Sequence, residues 1–200
     1  MLLASTWTTT SASVKILRPP PYAGDAYGFG AFPGQYGMAI LSKHPIETAA
    51  IRSFQKFLWK DIPEALIPDG RDDRPKWYSD DERDAFHLSS KSHWDMPIRV
   101  DGKLIHLLTS HPTPPVFDGR EDRNGRRNHG EIRLWADYID LSKAHYLYDD
   151  NGLVGGLPGN ARFIIMGDLN ANPNDGNSYA GAAAKLLKHP LIDTSVTPRA

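Results

Sequence analysis

Four apolar residues, Phe163-Ile164-Ile165-Met166, run without a break into Gly167-Asp168-Leu169-Asn170 and then into Ala171-Asn172-Pro173-Asn174-Asp175-Gly176. A short apolar run rich in isoleucine and phenylalanine reads as a buried strand. A strand that ends on a carboxylate and a carboxamide two residues apart is either entering a polar turn or presenting half of a site. Alternate residues of an extended segment face the same side. Leu169 can therefore enter the core while Asp168 and Asn170 both face a cleft. The same design occurs upstream, where Lys103-Leu104-Ile105-His106-Leu107-Leu108-Thr109-Ser110 passes directly into His111. Apolar strands that end in polar loops, with helical patterns between them, predict an α/β architecture with its site at the strand ends.

The remaining elements follow from local patterns. Met96–Val100 and Lys103–Ser110 read as a hairpin, because Asp101-Gly102 between them is a strong two-residue turn signal. Met38–Leu41 reads as an earlier strand, with residues 47–54 as its pairing partner. Ser79 and Glu82 have capping-box spacing and predict a short helix. Asn128 and Glu131 have the spacing of an N-cap and its N3 partner, so a helix is expected to open at Asn128. Its buried face would hold Ile132, Trp135, Ala136 and Ile139. A last helix is expected over residues 179–188, stopped by His189-Pro190. Residues 1–23, with Thr/Ser clusters and three consecutive prolines, offer little core and read as a poorly structured or non-homologous segment. They have no basic residue before Lys15 and only a short apolar run, which is not a signal-peptide pattern. The compartment stays open.

Composition removes several kinds of chemistry. The chain has no cysteine, so thiolate nucleophiles, disulfides and cysteine metal sites are excluded. The formal net charge of −1 gives no global attraction to nucleic acid or anionic membrane, and no apolar run approaches the ~20 residues of a membrane span. No His-Glu-x-x-His, phosphate-binding Gly-Lys-Ser/Thr loop or Gly-x-Ser-x-Gly elbow is present. The Asp/Asn-rich stretch at 168–176 lacks the closing glutamate of an EF-hand loop.

The candidates that remain are few. Asp168 can ligate a hard cation or take a proton from water, and Asn170 can donate to a phosphate. The same two residues also suit a polar turn at a strand end. His111 can donate to a phosphate oxygen or move a proton near neutral pH, although a lone histidine is more often a surface or core residue. His106, inside its strand, reads as structural. Arg120–Arg127 carries four arginines, and a guanidinium can clamp phosphate with two hydrogen bonds. Glu121 and Asp122 offset part of that charge, so most of the run reads as a solvated loop. Arg120 or Arg127 is the expected substrate contact.

Three pieces stand in one order: Tyr36-Gly37-Met38-Ala39-Ile40-Leu41-Ser42 with His44-Pro45-Ile46, then Thr109-Ser110-His111-Pro112, then Ile165-Met166-Gly167-Asp168-Leu169-Asn170. Together they resemble the endonuclease/exonuclease/phosphatase superfamily over about residues 24–195. The resemblance implies a deoxyribonuclease I-like four-layer sandwich, two mixed sheets face to face with helices outside. It implies phosphoester hydrolysis aided by Mg²⁺ or another divalent cation, with water attacking phosphorus in line. Carried over by position, Asp168 orients or deprotonates the water and is a metal ligand, Asn170 holds the phosphate, and His111 stabilises charge on the phosphoryl oxygens. The substrate is a phosphoester that belongs to a nucleic acid, a lipid or a small molecule. The family's opening Asn strand, its metal-binding Glu and its closing Ser-Asp-His are not in this sequence. Residues 24–200 are therefore expected to be part of such a domain, and a non-catalytic binding remnant is the alternative.

Overall fold

In a computed structural model, the described residues are 29–30, 32, 34–71, 74–174, 178–179 and 181–196. The segment 1–23 lies outside them. Their framework is one mixed sheet. β1 (Arg52–Ser53) pairs antiparallel with β4 (His93–Val100), β4 antiparallel with β5 (Lys103–Ser110), and β5 parallel with β6 (Arg162–Met166). A separate two-stranded hairpin, β2 (Asp69–Arg71) with β3 (Arg74–Lys76), lies outside this sheet. The helices are α1 (Asp80–Ala85), α2 (Arg123–Tyr138) and α3 (Ala182–Leu187). The architecture is α/β, as expected. Two face-to-face sheets are not found among the described residues.

The β4–β5 hairpin forms where the sequence places it. Asp101 and Gly102 both have positive φ, 47° and 76°. That is what a two-residue turn matching the strand twist requires. The Ser79–Glu82 capping box is also present, with the Ser79 hydroxyl and the Glu82 carboxylate each accepting the other residue's backbone N–H.

Three expectations need correction. Met38–Leu41 forms no strand ladder among the described residues, and the partner of residues 52–53 is β4. Met38 and Ile40, at alternate positions, do reach Trp94, Met96 and Leu107 on one sheet face. The alternation therefore sets side-chain direction without pairing the backbone. Second, α2 opens at Arg123, more than a turn before Asn128. Asp118 Oδ2 accepts the Asn124 N–H at 2.6 Å, and Asp122, at φ 50°, supplies the first helical carbonyl to Arg126. Asn128 and Glu131 are thus interior helix residues, and both are buried. Third, β6 is buried on one face only. Ile164 is 51% and Met166 47% exposed, whereas Phe163 and Ile165 pack into the core.

That core lies between the sheet and α2. Ile132, Trp135, Ala136 and Ile139 are buried together, as their spacing predicts, against Leu108, Phe54 and Leu147. Trp135 sets the helix against the strands. Its ring meets Phe54 and Tyr138 edge-on, and its indole N–H donates to Ser110 Oγ at 2.9 Å at the end of β5. His106 is structural, as read. Asp95, buried beneath it, accepts from His106 Nδ1 at 2.7 Å and from Tyr138 Oη at 2.6 Å.

Several histidines are neutral in this core. His129, packed beside Tyr179, is pushed down to about 4 by burial and then by Lys185 and Arg133. His87 also falls to about 4, by burial and then Arg127 and Lys56. His93 is lowered by complete burial. Each has a folded pKa below the unfolded value of 6.5, so the unfolded chain binds more protons in the window between them. Stability is complete above about pH 6.5 and is lost as pH falls through that window toward about 4. Calorimetric Tm values taken between about pH 7 and pH 5 should fall by several degrees, and His129→Gln should flatten the fall.

Candidate functional site

β5 and β6 are parallel neighbours, so their C-terminal ends lie side by side, with Thr109 opposite Met166. The residues that follow are His111 on one chain segment and Asp168 on the other. In open α/β sheets this is where ligands bind. Gly167 makes the close approach possible. Its φ is +135°, and a Cβ there would overlap the Ser110 carbonyl oxygen.

The turn after β6 is tight. Asp168 Oδ1 accepts the Asn170 N–H at 3.0 Å, and Asn170 has a left-handed φ of 50°. The polar-turn reading of these residues is therefore correct, and it is compatible with the cleft reading. Leu169 packs into the core as expected, while Asp168 stays exposed. Asn170 Nδ2 reaches across to the Pro112 carbonyl at 3.0 Å. It ties the β6 loop to the residue after His111. His111 is half-buried. Burial, then the Lys91 cation, lowers its pKa, with Asp168 and Glu131 opposing. Its imidazole is therefore neutral at pH 7, a hydrogen-bond donor that adds no charge.

α2 holds these loops in place. Glu131 is fully buried, and its two carboxylate oxygens accept from the Ser90 N–H and the Thr113 N–H, both at 2.6 Å. Its backbone carbonyl accepts from His93 Nε2 at 2.9 Å. A carbonyl only accepts, so Nε2 carries the proton and Nδ1 takes the Ser89 hydroxyl at 2.7 Å. Asn128, one turn earlier and also fully buried, donates through Nδ2 to the Thr113 and Leu169 carbonyls at 2.8 and 2.9 Å. The segments at 90, 113 and 169 are thus anchored to one face of one helix. Lys91 enters the same region. Its ammonium lies at the Pro112 carbonyl, 3.4 Å away, on the oxygen that also accepts from Asn170.

His111, Asp168 and Asn170 therefore come together, whereas the Arg127 guanidinium is engaged by another loop. Arg127 donates to the His87 and Leu88 carbonyls at 2.9 and 2.8 Å and lies over the Phe86 ring. Its guanidinium fastens a loop. Arg120 is exposed on the segment before α2. Lys91, Asn128 and Glu131 escape sequence reasoning. A signal for the last two was present: they precede Ile132 and Trp135 on the stripe that is otherwise apolar.

Among the described residues, no group of three His, Asp or Glu side chains could hold a metal ion. Asp168 contributes one carboxylate, with one of its oxygens already accepting from Asn170. One carboxylate is no cage by itself, but it fits a Mg²⁺ that would keep waters and take its further oxygens from a substrate phosphate. Among the same residues, no helix is long and apolar enough to cross a membrane.

The sequence model described as the Endonuclease/Exonuclease/phosphatase family matches residues 4–199. No curated protein and no solved structure matches the chain.

Proposed function

The chain belongs to the Endonuclease/Exonuclease/phosphatase family, and on that premise we propose that its cleft binds a phosphoester and hydrolyses it when a divalent cation such as Mg²⁺ is supplied. The observation that carries this reading is the convergence of His111, Asp168 and Asn170 at the ends of two adjacent parallel strands. Asn170 has one Nδ2 hydrogen on Pro112 and a second to offer a phosphoryl oxygen. His111, neutral at pH 7, donates to charge that grows on those oxygens. Asp168 is exposed and accepts the proton of, or aligns, an attacking water. The bare apolar positions Ile164 and Met166 suit the inner face of a four-layer sandwich, against which a second sheet packs.

Purified chain should release alcohol from a phosphodiester such as bis(p-nitrophenyl) phosphate with Mg²⁺, and EDTA should stop it. Asp168→Ala and His111→Ala should each lower turnover about a hundredfold. Unchanged rates in both variants would remove these roles. A second reading, phosphate binding without turnover, is favoured by the sparse carboxylate set among the described residues. Saturable phosphate binding with no Mg²⁺-dependent hydrolysis would select it.

A further inference from the structure

Lys91 is 5% exposed, a buried ammonium in the loop before β4. A lysine that deep is ordinarily paired with a carboxylate. This one makes no ion pair among the described residues. Its hydrogen bond there, to the Pro112 carbonyl at 3.4 Å, is long for an N–H···O contact. An ammonium has three hydrogens to place. Burial, the largest influence, pushes the amine below the usual lysine range, with Glu131 and Asp168 acting the other way. The residue is nevertheless rigidly mounted. Glu131 fixes the Ser90 backbone beside it, and the Ser90 hydroxyl reaches the His111 carbonyl at 3.4 Å.

The oxygen it touches locates its free hydrogens. Pro112 O accepts from Lys91 Nζ and from Asn170 Nδ2 together. Two donors on one oxygen are near enough for a single phosphate, accepting at ~2.8 Å through each of two oxygens, to take a hydrogen bond from both. We propose that Lys91 is the phosphate-anchoring cation of this cleft, and that a phosphoryl oxygen of the substrate takes the hydrogens its ammonium leaves unpaired among the described residues. This rests on the reading of the cleft as a phosphoester site. The anchor grips the phosphoryl group common to all phosphoesters, so it gives a chain of net charge −1 a local cation with which to hold an anion.

Inorganic phosphate is the probe, titrated into the full 200-residue chain at constant ionic strength. Wild type should show a phosphate-dependent rise in Tm and saturable binding by calorimetry. Lys91→Met, which keeps the stem and removes the charge, should weaken that binding at least tenfold, and Lys91→Arg should keep part of it. Equal binding by Lys91→Met and wild type, or no binding by wild type, overturns the proposal. If Lys91→Met does not fold, the Lys91 Cε resonance of the wild-type chain decides: it shifts on phosphate titration if the proposal holds and stays fixed if it fails. Loss of binding in Lys91→Met without Mg²⁺-dependent turnover by wild type upholds the anchor and removes the hydrolytic reading. Turnover by wild type with phosphate binding indifferent to Lys91→Met does the reverse.

Discussion

Glu131→Ala should destabilise the protein by about 3–5 kcal/mol and disorganise the loops that follow β5 and β6 at the same time. The carboxylate is fully buried and joins two backbone amides that belong to different loops, at Ser90 and Thr113. Alanine leaves both N–H groups in the interior with no acceptor, each costing about 1–3 kcal/mol, and leaves a void besides. In a chain of this size that lowers Tm by roughly 10 °C. Glu131→Gln tests the mechanism more finely. Its carboxamide can accept from one amide but turns its NH₂ toward the other, so one bond is replaced by an opposed pair of donors. The expected cost is smaller than for alanine and larger than for a surface change. Thermal unfolding of the three proteins checks the order. If Glu131→Ala melts with wild type, Glu131 is not the clamp between the loops. The clamp also positions Lys91 and His111, so phosphate binding should weaken in any variant that remains folded.

The same residue shows where local pattern stops being informative. Asn128 and Glu131 have cap spacing because carboxamides and carboxylates accept backbone N–H groups at helix starts. Glu131 does accept backbone N–H groups, but those of Ser90, 41 residues away, and Thr113, 18 residues away. Asn128 donates to Leu169, 41 residues on. The chemistry of each side chain was legible, and the identity of its partner was not, because only the assembled fold supplies it. Where both partners are local, sequence and structure agree: the Asp101-Gly102 turn and the Ser79–Glu82 box need nothing from the rest of the chain. Periodicity gave the buried face of α2 for the same reason.

The strands are an intermediate case. Phe163-Ile164-Ile165-Met166 carries apolar side chains on both faces, so it cannot reveal from composition which face is covered. The fold covers Phe163 and Ile165 and leaves Ile164 and Met166 bare. The reverse holds for Met38 and Ile40, whose alternation matched their contacts although the expected ladder is not present among the described residues. The order of His111, Asp168 and Asn170 along the chain says nothing of distance. Their convergence depends on β5 and β6 being parallel neighbours, a fact of topology.

That convergence depends in turn on one glycine. Gly167→Ala should destabilise by about 3 kcal/mol or more and weaken phosphate binding together with it. Two separate costs combine. A φ of +135° is a region that residues with a side chain avoid, and the added Cβ would overlap the Ser110 carbonyl oxygen on the neighbouring strand. Backbone atoms on both sides cannot swing away as a flexible side chain would. The ends of β5 and β6 must therefore separate, where His111 and Asp168 begin. Gly102→Ala isolates the first cost. Its φ is +76°, and a Cβ there meets nothing within 4 Å, so strain alone should cost about 1–2 kcal/mol. Gly102 also lies at the far end of the hairpin from Ser110 and His111, and its substitution should leave phosphate binding intact. Denaturant unfolding gives the two stabilities, and phosphate titration of each folded variant gives the coupling. Equal losses of stability would mean that the approach to Ser110 is slack. Undiminished phosphate binding in Gly167→Ala would mean that the spacing of the two strand ends does not set the site.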